Sequence, residues 1–72
     1  MKNELKIELI RRMTRYLEDA CAYHATGERE LFHYSTGKAT AIRDLLEDFC
    51  AIYESDFSEH IRNMWEITDE EW

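Results

Sequence analysis

The strongest constraint in this chain is a hydrophobic rhythm of 3.6 residues that runs twice and stops between the two runs at Gly27. On a helical wheel Leu5, Leu9, Ile10, Met13, Tyr16, Leu17, Ala20, Tyr23 and His24 share one arc. Arg11, Arg15, Glu18 and Asp19 lie opposite. Ile7 falls off this arc and Lys6 falls on it. The pattern predicts a first helix over about residues 3–25. Gly27 follows where helices tend to end in a left-handed residue.

The second run places Leu31, Tyr34, Ala41, Ile42, Leu45, Leu46, Phe49, Ile52 and Tyr53 on one arc, together with Ser35 and Lys38. Gly37 sits at its edge. A break at Ser35-Thr36-Gly37, with Ser35 capping a new helix, competes with one continuous helix. The phase is the same on both sides of Gly37, which favours a single helix over about residues 28–54. Asp56 with Glu59 resembles a capping box. Phe57, Ile61, Met64 and Trp65 then line a short third helix over about 57–66. Thr68 with Glu71 either caps a last turn or lies in a fraying tail. No strand-like alternation persists, so the expected class is all-α and the chain, 1–72, a single domain.

Two long amphipathic helices joined by a tight turn make an antiparallel hairpin. The third helix covers only part of the apolar stripes. The expected core and dimer residues are Leu9, Met13, Tyr16, Leu17, Leu45, Phe49 and Ile52, closed by pairing of two hairpins into a four-helix homodimer. Size supports this. A chain of 72 residues buries only about 60% of its unfolded surface and usually needs a staple, a metal or a partner subunit. Cys21 and Cys50 fall at distant levels of such a hairpin, out of disulfide reach. They read as reduced thiols of a cytoplasmic protein.

The formal charge is −7, and 44% of residues are hydrophobic, too many for a disordered tail. Residues 1–29 hold six basic and five acidic side chains, whereas residues 30–72 hold three basic and eleven acidic. That balance argues against direct nucleic-acid binding, which depends on cationic neutralisation of phosphates. It suits meeting a basic surface on another protein, or plain solubility. No apolar run approaches the ~18 residues of a membrane span. The first residues mix Lys2, Lys6, Arg11 and Arg12 with Glu4 and Glu8, unlike a signal peptide.

Catalytic patterns are weak. Thr36-Gly37-Lys38 lacks the first glycine and the spacing of a phosphate-binding loop. No nucleophile motif occurs, and no cofactor is expected. Glu30 and His33 form a Glu-x-x-His pair, the spacing that supplies two ligands in carboxylate-bridged di-metal bundles. Both fall off the apolar arc, whereas such a site faces inward. Phe32 also lies off the main arc, near Ala39 and Cys50. Trp72 follows a run of acids, with Glu66, Asp69, Glu70 and Glu71 close by. These six residues are the expected partner-binding set, since exposed aromatics among acids suit interface anchors.

The stretch Leu31 to Phe49, Leu-Phe-His-Tyr-Ser-Thr-Gly-Lys-Ala-Thr-Ala-Ile-Arg-Asp-Leu-Leu-Glu-Asp-Phe, resembles a pattern of short phage and prophage proteins. In these, an aromatic pair precedes Gly-Lys-Ala and an apolar helix, after a first helix that ends in Gly. The likeness spans about residues 16–50 and carries no site residues across. It implies a small accessory protein of a mobile element, similar to anti-CRISPR proteins in binding and blocking a larger host protein. The expected function is therefore a non-enzymatic protein-binding module. A self-assembling structural protein of a phage is the alternative. A metal-binding bundle using Glu30 and His33 is the third reading.

Overall fold

A computed structural model describes residues 2–70. Its elements are α1 (Lys2–Thr26), α2 (Arg29–Cys50), a 3-10 turn (Glu54–Asp56) and α3 (Glu59–Asp69). The class is the expected one, a helical hairpin with a short third helix. The hairpin turn is two residues long. Gly27 takes a left-handed φ of 78°. Its N–H donates to the His24 carbonyl at 3.4 Å, and the Glu28 N–H donates to the Tyr23 carbonyl at 2.9 Å. Both bonds satisfy carbonyls that the end of α1 would otherwise leave open. Glycine fits here because a side chain would strain this backbone.

α2 runs unbroken through Gly37 but stops at Cys50, not at residue 54. Ala51 turns left-handed, with φ 53°, and its N–H returns to the Leu46 carbonyl. Ile52 N–H reaches the same carbonyl at 3.0 Å. The turn brings Ile52 into the core from outside the helix rather than as a helical residue. The third helix starts two residues later than expected and ends three later, at Asp69. Its cap is Ser58, whose hydroxyl accepts from the Ile61 N–H at 3.3 Å. Asp56 serves the 3-10 turn instead, accepting from the Tyr53 N–H at 2.9 Å. Thr68 lies inside α3, buried, and donates to the Trp65 carbonyl at 2.9 Å.

The core joins Met13 and Leu17 of α1, Ala39 and Leu46 of α2, Ile52 and Phe57 of the connection, and Met64 and Trp65 of α3. Trp65 carries the guanidinium of Arg43 4.2 Å from its ring centroid, a cation–π contact that ties α2 to α3. The molecule measures 38 × 19 × 16 Å. A body this slim has room for one layer of packed side chains and leaves long helix faces in water.

Candidate protein interface

The face of α2 that packs is not the one with the most apolar residues. Phe32, Ser35, Ala39 and Leu46 are its buried positions. This row shares Ser35 and Leu46 with one edge of the arc that the sequence favours, and Phe32 and Ala39 extend it beyond that edge, so its centre is turned by roughly 100°, about one residue of helix. The larger apolar row stays outside. Tyr34 is 60% exposed, Leu45 42% and Phe49 81%, and Leu31 is exposed as well. Because α2 is continuous through Gly37, these side chains share one outer face, as a pair at each end of the helix with Lys38 and Ala41 between them. Lys38 lies on that face with its ammonium 5.4 Å from the Tyr34 ring centroid, so its stem covers part of the ring. At the far end Phe49 and Cys50 share a shallow apolar concavity of ≈ 360 Å³ with Asn3, Leu5 and Lys6 of α1. Leu5 is exposed too, which carries the apolar surface onto the start of α1.

The expected core and dimer residues therefore divide. Met13, Leu17 and Ile52 are buried within the chain, and Leu9 and Tyr16 are half-buried against the same cluster. Leu45 and Phe49 lie outside. The expected partner-binding residues divide as well. Phe32 is only 2% exposed, so it is a core residue and not a partner contact. Its ring sits 5.5 Å from that of His24 and 5.4 Å from that of His33, closing the core beside the hairpin turn. Glu66, Asp69 and Glu70 are exposed at the C-terminal end of α3. Glu71 and Trp72 lie outside the described residues. Glu66 also lines a polar concavity of ≈ 510 Å³ with Glu54, Ser55, Glu59, Arg62 and Asn63, which gives the α3 side an acidic edge.

Glu30 and His33 are both exposed on α2. The inward-facing site that a di-metal bundle requires is not formed within the chain, and among the described residues no three His, Cys, Asp or Glu side chains converge. Cys21 and Cys50 are free thiols. Cys21 faces α3, with its sulfur 3.9 Å from the Met64 carbonyl oxygen. Burial, and then the charge of Glu18, push its thiol above the usual 9.0, so the neutral form is favoured. On the outer side of α1, Glu8 accepts from Arg11 at 3.2 Å and from Arg12 at 3.1 Å. These exposed pairs partly neutralise the charge of Arg11 and Arg12.

The outward row of α2 was visible in the sequence as a stripe, but its role was not. The signal was the minor row Phe32, Ala39 and Cys50, which with Ser35 offers mostly small side chains to a neighbouring helix. No protein family matches the chain, nor does any curated protein or solved structure.

Proposed function

We propose that this chain is a non-enzymatic protein-interaction module that docks through the outward face of α2. The observation behind this reading is the set of large apolar side chains, Leu31, Tyr34, Leu45 and Phe49, left in water on a regular helix. Isolated exposed leucines need no explanation, but four large apolar residues on one face of so small a body suit a surface that is covered in use. The acidic edge around Glu54, Glu59 and Glu66 favours partners with basic surfaces and disfavours nucleic acid itself. The resemblance of residues 16–50 to small phage proteins narrows the proposal. The partner is then a larger host protein, inhibited or modulated at a basic surface of the kind that contacts nucleic acid.

The test is a photo-crosslinking phenylalanine analogue placed at Phe49, with the same probe at Asp19 on the outer side of α1 as control. In a bacterial lysate, discrete protein adducts at position 49 that are missing at position 19 are expected. No adduct at position 49, or the same adducts at both positions, overturns the reading.

A further inference from the structure

We propose that the outward face of α2 closes against the same face of a second copy of this chain, as an antiparallel crossing on a twofold axis between Lys38 and Ala41. This rests on the reading of that face as an interaction surface but gives it a second copy as occupant in place of a host protein, which would then be met by the acidic edge around Glu54, Glu59 and Glu66.

The order of side-chain sizes is self-complementary. Tyr34, Lys38, Ala41 and Leu45 are spaced four, three and four residues apart, which is the seam of a short heptad. Reversing a second α2 about the midpoint of Lys38 and Ala41 sets Tyr34 against Leu45 of the other copy. It also sets the long Lys38 against the small Ala41. Each large side chain meets a medium or small one, and both copies use the same patch, as a closed twofold interface requires.

Charge agrees with this register. One helical turn from Ala41 lies Asp44, so the Lys38 ammonium of one copy comes beside Asp44 of the other. Within the chain neither forms an ion pair: among the described residues the ion pairs are those of Glu8 with Arg11 and Arg12, and Lys38 has the Tyr34 ring beside it. A single lysine in an otherwise apolar seam is a known means of selecting register.

Gly37 is the independent sign. Glycine is the poorest helix residue after proline, yet it stands in the middle of α2. Nothing lies within 4 Å of where its Cβ would be, and its φ is not left-handed. No contact inside the chain calls for the missing side chain. With Ala41 one turn further on, Gly37 makes a low place on the exposed flank of the seam, where a second backbone can approach closely.

The area is also sufficient. At 60% and 81% exposure, Tyr34 and Phe49 alone leave about 280 Å² in water, taking about 200 Å² for each aromatic side chain. An ordinary interface buries about 800 Å² per partner, of which about 450 Å² is apolar. Leu31, Leu45 and Leu5, all exposed on or beside the same face, supply much of the remainder.

The test uses the full chain. Sedimentation equilibrium at micromolar concentration is expected to read twice the chain mass of 8.7 kDa. Gly37→Gln is the decisive variant, because glutamine is a better helix former and meets open space in a single chain. It is expected to keep full helicity by circular dichroism while weakening association at least about tenfold. In a chain carrying Cys21→Ala and Cys50→Ala, a cysteine introduced by Ala41→Cys is expected to be bridged between copies by a short bis-maleimide. One introduced by Ala22→Cys on α1 is not. A single-chain mass at every micromolar concentration overturns the proposal. So does a dimer that Gly37→Gln leaves intact, or one without the position-41 bridge. A single-chain mass together with position-49 photo-adducts to a different protein defeats the second copy alone and leaves the interaction reading standing. A single-chain mass with no adducts defeats both.

Discussion

α1 and α2 carry apolar stripes of similar length and treat them in opposite ways. α1 buries the stripe that its periodicity marks, with Met13, Leu17 and Ala20 wholly enclosed. α2 buries a neighbouring row, Phe32, Ser35, Ala39 and Leu46, and leaves Leu31, Tyr34, Leu45 and Phe49 in water. The difference teaches that apolar content and packing fit are separate selectors. Two helices gain most where their surfaces interlock at close range, because dispersion falls steeply with any gap. Ser35 and Ala39, both buried, let α1 come close to α2. Tyr34, Leu45 and Phe49 on that side would hold the helices apart. Arg43 over Trp65 then fixes α2 in the rotation that faces α3. The hydrophobic effect alone does not choose between the two rows, since it is non-directional.

The contrast between the helices can be broken most directly by truncating one leucine from each. Leu17→Ala empties a fully enclosed site and is expected to cost about 2–5 kcal/mol in urea unfolding. Leu45→Ala, measured in protein dilute enough to be a single chain, is expected to stay within about 0.5 kcal/mol of the parent. Equal losses would mean that α2 packs through its larger row after all.

A subtler comparison adds apolar volume to the two faces of α2. Ser35→Leu overfills the close contact and is expected to destabilise by about 1–3 kcal/mol, although it makes the helix more hydrophobic. Lys38→Leu on the outer face changes the stability of the single chain by no more than about 0.5 kcal/mol. Denaturant midpoints in the reverse order would show apolar content outweighing fit.

The smallest effect concerns the covered face of α1. Cys21 lies against α3, and burial followed by Glu18 raises its pKa above 9.0. The thiol is neutral when protonated, so the folded chain favours the protonated form. Its contribution is complete below the unfolded pKa and is lost as pH rises through the higher folded value. Stability is therefore expected to fall above about pH 9, and to fall less steeply in Cys21→Ala. Urea midpoints followed across that range check this; identical slopes in the two chains would mean that α3 does not desolvate the α1 face at this point.

Much of the architecture was legible because it depends on local rules. The spacing of Leu9, Met13, Leu17 and Ala20 marks both a helix and its covered side. Gly27 marks the turn because a left-handed residue is needed there. The unchanged phase across Gly37 marks one helix rather than two. The ends were less legible. Asp56 and Glu59 make a stronger sequence pattern than the lone Ser58, yet Ser58 is the cap, because the 3-10 turn uses Asp56 to hold the Tyr53 N–H. Ala51 in a left-handed conformation has no sequence signal at all. It arises because Ile52 reaches the core only if the chain turns at that point.

The candidate interface was the least legible part, and Phe32 and Phe49 show why. Phe32, off the main arc, became a core residue, and Phe49, at the centre of that arc, became the most exposed large hydrophobic residue among those described. The amino-acid sequence alone determined that this protein is helical, where its hairpin turns and that α2 has more apolar surface than one hairpin can cover. Those properties follow from periodicity, propensity and backbone sterics, which act between residues a few positions apart. Only the tertiary structure decided which row of α2 is left outside. That choice depends on how Ser35, Ala39 and Arg43 fit side chains from α1 and α3, and such fit is a property of surfaces in contact rather than of any one segment.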